Sequence, residues 1–219
     1  METATATAAV NPTVRDHNTN VRGTILNVAW LAVLLGIAVE VILIAIHSFF
    51  NSMPGVNALV ADLVGKMSWS VIVCVGLAFG KAASKNQPAA TGMAGLLAAP
   101  VAFTVARTVQ KSVSYALGLA VAASAASPFV LGTLKGLEYA ALGILLTWIG
   151  KQRAGIAAHI GVGFVVGAVF GAALIALLAH YAAATPPPHA LVTQGVNELL
   201  FPVGCSLAIF AAETLGKQD

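Results

Sequence analysis

Asp62 and Lys66 stand one helical turn apart in the run ALVADLVGKMSWSVIVCVGLAF (58–79), which is otherwise apolar and long enough to cross a bilayer. On a helix, positions i and i+4 share a face, so the carboxylate and the ammonium can pair. Further acids, Glu40, Glu138 and Glu198, and a further lysine, Lys135, fall inside comparable runs. A charge held within hydrocarbon costs about 2.5–3.5 kcal/mol on insertion scales, so such residues face protein or water and mark function. Two readings follow. In one, Glu40, Asp62 and Glu198 bind a cation or relay protons in a polar cavity, with Lys66 as a tethered counter-ion. In the other, the charges are interhelical ion pairs that fix packing, with the shallower members reaching into the headgroups.

The other chemistry-bearing residue types form no comparable pattern. Cys74 and Cys205 each lie within an apolar run; two such thiols make no metal motif, and inert apolar packing is their expected role. His47, His180 and His189 fall at one end of their runs and His159 at the other, all expected at the membrane interface, and no haem or zinc motif accompanies them. HExxH, GxSxG, P-loop and GxGxxG patterns are missing. Ser206 has no histidine at comparable depth to activate it. The expectation is a protein that is not an enzyme and carries no metal or cofactor.

The elements that must position these charges follow from hydropathy. The 219 residues are 58% hydrophobic and 9% charged, with mean hydropathy +0.89. Soluble domains carry about 25% charged residues, so lipid is the main solvent. Apolar runs of about 20–28 residues without alternation fit helices rather than the roughly ten-residue strands of a barrel. They place spans at about 24–50, 56–80, 90–108, 128–150, 155–183 and 189–215. The expected fold is therefore all-α: a polytopic bundle of six transmembrane helices forming one domain over 23–217. Residues 109–127 are ambiguous. They suit a re-entrant or interfacial helix, a bent continuation of span three, or a seventh span. Residues 1–22 are polar and expected to be a disordered tail, and the long run after them does not fit a cleavable signal peptide.

Arg15, Arg22, Lys81, Lys85, Lys151, Arg153 and Lys217 all fall on one side of a six-span chain, while 51–55 and 184–188 have no Lys or Arg. Both termini are thus expected in the cytoplasm, and the Ala/Val/Leu-rich composition fits a bacterial inner membrane. Counting from the opposite ends places Glu40 and Glu198 about 13–15 Å deep at 1.5 Å per residue, so the charges form a layer in the outer half. At one constant offset, Ala58, Leu59, Val60, Val64 and Val71 match Ala190, Leu191, Val192, Val196 and Val203, with Lys66 opposite Glu198. This suggests a parallel repeat of helices one–two and five–six. Gly163, Gly167 and Gly171 recur every fourth residue, a stripe that admits another backbone from this chain or a neighbour. Pro100 and Pro202 are candidate kinks, and Pro202 frees the carbonyl of Glu198.

These features point to a small transporter or channel with a charged cavity in the outer half of the bilayer. The alternative is a non-catalytic subunit or assembly factor of a larger membrane complex. The expected partners are the lipid bilayer and either further copies of the chain or other membrane subunits. The basic residues form no aromatic-interleaved patch, which argues against nucleic acid.

Overall fold

A helix in hydrocarbon pairs all its backbone groups within itself, and the apolar runs accordingly fold as helices. A computed structural model of the chain describes residues 12–83, 87–120, 126–182 and 186–215, with side chains from Gly23 onward. The helices are α1 (Pro12–Phe49), α2 (Val56–Ala83), α3 (Pro88–Ala116), α4 (Pro128–Lys151), α5 (Ile156–Tyr181) and α6 (Pro188–Leu215). All six are long and apolar enough to span a membrane. Even α4, at 24 residues, is about 36 Å long at 1.5 Å per residue, against a hydrocarbon core of about 30 Å. The bundle is all-helical, as expected.

Two boundaries differ from the expectation. Helix α1 starts at Pro12, so the polar tail is helical over 12–22 rather than disordered there; residues 1–11 lie outside the described residues. Helix α3 runs on to Ala116, so the first part of the ambiguous stretch continues span three. It stops in a left-handed turn, with Gly118 at φ 72°. There the Leu119 and Gly118 N–H groups donate to the Ser114 and Tyr115 carbonyls, a Schellman ending. The same pattern ends α1 at Asn51 and α4 at Arg153, both with positive φ. No re-entrant helix and no seventh span occur among the described residues, and residues 121–125 lie outside them.

The helices pack in chain order around a ring that α1 and α6 close. In addition α2, α4 and α6 touch one another, so the even-numbered helices form an inner triangle. All three start on the same side of the bundle, here called the hairpin side, where the α1–α2, α3–α4 and α5–α6 connections lie. Their shared core holds Leu77, Leu142 and Leu146, each at most 1% exposed, and the Trp69 and Tyr139 rings meet edge-on at 5.6 Å. Cys74 and Cys205 are more than separate apolar fillers: their Sγ atoms lie 2.8 Å apart between α2 and α6. Near the terminal side Lys81 pairs with Glu213 at 2.6 Å, again joining α2 to α6.

The glycine stripe finds its partner within the chain. A Cβ at Gly163 would lie 2.6 Å from Val203 Cα, one at Gly167 3.0 Å from Leu199 Cα, and one at Gly171 2.9 Å from Glu198 Cβ. In the first hairpin a Cβ at Gly36 would lie 2.9 Å from Met67 Cα. Met67 and Leu199 are equivalent in the proposed repeat, and Gly36 and Gly167 are equivalent to within one residue, so the hairpins α1–α2 and α5–α6 share a packing register at this contact. Neither proline interrupts its helix. Each instead has a glycine of a neighbouring helix against the carbonyl it frees. A Cβ at Gly136 would lie 3.0 Å from Leu96 O, four residues before Pro100, and one at Gly167 3.0 Å from Glu198 O, four before Pro202. With hydrogen only at that position, Cα–H groups can approach these oxygens.

Gly167→Leu should therefore force α5 off α6, with an overpacking cost of about 1–3 kcal/mol, seen as a lowered unfolding temperature in detergent. Gly161→Leu, where an added Cβ meets nothing within 4 Å, should leave that temperature unchanged.

Candidate functional site

The interior charges assemble into two clusters, each built on one lysine. Lys66 Nζ donates to Glu40 Oε2 at 2.6 Å and to Asp62 Oδ2 at 2.9 Å. Asp62 Oδ1 accepts from Gln110 Nε2 at 2.5 Å, so this cluster ties α1, α2 and α3. The Asp62–Lys66 pair is the i, i+4 contact that the spacing predicts. In the second cluster Lys135 Nζ donates to Glu138 Oε2 at 2.7 Å, one turn along α4, and to Glu198 Oε2 on α6. Glu198 Oε1 accepts from Gln194 Nε2 at 2.6 Å. All five candidate residues, Glu40, Asp62, Lys66, Glu138 and Glu198, thus belong to lysine-centred ion-pair clusters, with Lys135 as the second centre.

Burial differs sharply among them. The side chains of Glu40, Glu138 and Glu198 are 6%, 1% and 3% exposed, whereas that of Asp62 is 47% exposed. The expected span of 128–150 puts Lys135 within about two turns of its end, but Lys135 does not reach outward to the headgroups. It is buried, with Nζ 5.8 Å from the centre of the Trp69 ring. The reason is that α4 belongs to the inner triangle, so the turn carrying Lys135 faces Glu198 and Trp69 rather than lipid. His159 departs likewise from its expected interfacial place. It is 2% exposed, with its ring 4.7 Å from that of Phe210 and Nδ1 3.1 Å from the Gly155 carbonyl oxygen, because α6 covers the first turn of α5.

Both clusters open onto one cavity of about 290 Å³ between α2, α3 and α6, with Lys135 of α4 and Leu43 of α1 at its edge. Asp62, Gln110 and Thr193 line it within about two turns of the helix ends, so it lies toward the hairpin side. Trp69, Phe103 and Phe201 give it apolar walls. Beyond Trp69 the inner triangle is filled by Tyr139, Leu77, Leu142 and the two cysteines, and the cavity stops there. Lys66 and Glu198, equivalent in the repeat, line the same cavity but pair with other residues.

Several lining residues escaped the sequence reading: Arg107, Gln110, Thr193, Gln194 and Asn197. The span expected at 90–108 puts Arg107 at its very end. Because α3 continues to Ala116, Arg107 instead lines the cavity, with its guanidinium carbon 4.9 Å from the Phe103 ring centre. The usable signals were local: Gln194 precedes Glu198 by one turn, and Phe103, Arg107 and Gln110 fall on one helical face.

A six-helix membrane protein with a charged, one-sided cavity is the class that fold and site define. Comparison of the chain with models of protein families, with curated proteins and with solved structures finds no match.

Removing Lys135 would leave Glu138 and Glu198 buried without their cation. Lys135→Met should destabilise the protein by about 3–5 kcal/mol, as breaking a buried ion pair from one side does. The triple variant Lys135→Met/Glu138→Gln/Glu198→Gln should recover most of that loss, as read by thermal unfolding in detergent.

Proposed function

We propose that this protein is a small membrane transporter whose cavity is the entry site for a solute. The observation that carries the reading is the cavity itself: two lysine–carboxylate clusters from separate helix pairs converge on one opening within a membrane bundle. Packing alone is served by ion pairs turned into protein; these border open space, and Asp62 is half exposed to it. Charge balance adds support. With all groups ionised, Glu40, Asp62, Glu138 and Glu198 outnumber Lys66, Lys135 and Arg107 by one, a surplus that a proton or cation entering with the solute neutralises. The protein acts as a carrier rather than an enzyme. The distribution of basic loops supports cytoplasmic termini, and on that reading the cavity faces outward from a bacterial inner membrane.

The alternative role, as a structural subunit of a larger complex, draws on the very short loops, on the lack of a complete charged pathway and on the glycine stripe as a docking face. Gly163, Gly167 and Gly171 instead pack on α6, which removes the last of these three supports.

Glu198→Gln keeps the shape of the side chain and leaves Lys135 paired with Glu138. It should abolish flux in proteoliposomes, followed with a trapped pH-sensitive dye and a panel of radiolabelled small solutes, while lowering the unfolding temperature far less than Lys135→Met does. Normal flux in this variant would remove Glu198 from the pathway. Stoichiometric co-purification of other membrane proteins in mild detergent, with no flux from the lone chain, would favour the subunit role.

A further inference from the structure

The geometry points to a small zwitterion, of the α-amino acid class, as the ligand of this cavity; the inference rests on the transporter reading and names its solute. The two lysines are not the recognition groups, because each already donates to two carboxylates. Arg107 is different. It lines the cavity, carries no salt bridge among the described residues, and has only the face of Phe103 against its guanidinium. A guanidinium presents its N–H donors in a planar fork that a carboxylate fills with two parallel hydrogen bonds. An open fork in a membrane interior is a place for a ligand carboxylate.

The opposite charge is supplied by α2. Asp62 lines the cavity and is the most exposed acid of the two clusters, at 47% of its side chain against 1–6% for the others. Lys66 and Gln110 take one bond on each of its oxygens, and a carboxylate has about four lone-pair sites, so it can still accept from a ligand ammonium. Arg107 and Gln110 lie one turn apart on α3, and Gln110 is the residue bonded to Asp62, so the open cation and the exposed carboxylate line the same part of the cavity. In a cavity this small the two charges of a ligand must lie close together, as they do in an α-amino acid.

Other ligand classes fit less well. A bare metal ion would have to displace a lysine ammonium from the carboxylates, and no group of three or more potential metal-ligating side chains occurs among the described residues. A simple anion would leave Asp62 and Glu198 facing it across the cavity. A cavity of about 290 Å³ lies at the lower end of the usual ligand range of about 300–1,000 Å³, which limits the solute to a small one.

The full-length protein in lipid nanodiscs tests this through thermal shift with the twenty standard amino acids, followed by matched probes for any that binds. If alanine binds, alaninamide carries only its ammonium and propionate only its carboxylate. The expected result is a saturable rise in unfolding temperature for one or more amino acids, with at least tenfold weaker binding of both single-charge probes. Arg107→Gln and Asp62→Asn should each abolish the shift while their ligand-free unfolding temperatures stay near that of the parent. Equal binding of the amide or of the acid overturns the inference, as does an unchanged shift in Arg107→Gln or no shift with any amino acid. The transporter reading fails separately. Glu198-dependent flux without amino-acid binding would leave it standing, and binding without flux in proteoliposomes would remove it while keeping the zwitterion site.

Discussion

An ammonium group is not stable alone in hydrocarbon, and this bundle is arranged around holding two of them. Lys66 and Lys135 each sit between two carboxylates, one on the lysine's own helix and one on another. A single pair would neutralise the charge but leave ammonium protons undonated. Two acceptors per lysine satisfy more of those donors, and the second carboxylate binds a second helix. Lys66 thereby ties α2 to α1, and Lys135 ties α4 to α6. Since the desolvation of buried charge is offset only when geometry and hydrogen bonding are both complete, the relative rotation of four helices is set at this level.

The apolar part of the structure follows the same plan from the other direction. Where no charges hold two helices together, backbones approach closely. Glycines bring α5 onto α6, and on the far side of the triangle Gly95 and Gly143 bring the backbones of α3 and α4 together at Tyr139 and Thr91. Lipid tails compete with leucine on equal terms, so helix association in a membrane depends on such contacts rather than on burial of apolar area. The prolines fit this pattern. Pro100 and Pro202 each cost their helix one hydrogen bond, yet each freed carbonyl faces a glycine of the neighbouring helix. The interruption is absorbed into the helix–helix seam.

The helices themselves were legible in the sequence, because span length and hydropathy are properties of a single segment. So was the Asp62–Lys66 pair, which needs only the helical period. What pairs with what between segments was not legible. Glu198 could be seen as an interior charge, but its partner depends on α4 lying beside α6 in the inner triangle, which hydropathy does not report. The same gap explains Lys135 and His159, whose positions near span ends suggested the interface while their neighbours bury them. Arg107 was misplaced by a boundary. Polar residues 107–112 lower the local hydropathy and ended the span early on paper, while the chain continues as helix to Ala116 and uses that polar turn to line the cavity.

The two kinds of contact also divide the bundle. Backbone-close seams join α2 to α3, through Gly76 and Gly80 against Ala98 and Ala94, and α3 to α4, through Gly95 and Gly143, while others join α1 to α2 at Gly36 and α5 to α6. Between α6 and the inner helices α2 and α4 the polar and thiol contacts are made by side chains: Lys135 with Glu198, Cys74 with Cys205, and Lys81 with Glu213. Interlocked backbones resist sliding, whereas side-chain contacts can break and re-form with a change of rotamer. In the proposed transporter the closed floor beneath Trp69 has to open for a solute to pass, and α6 packs only sparsely at its seam with α2 and α4 there. Glu198 stands at the cavity end of that seam, facing Lys135 across it.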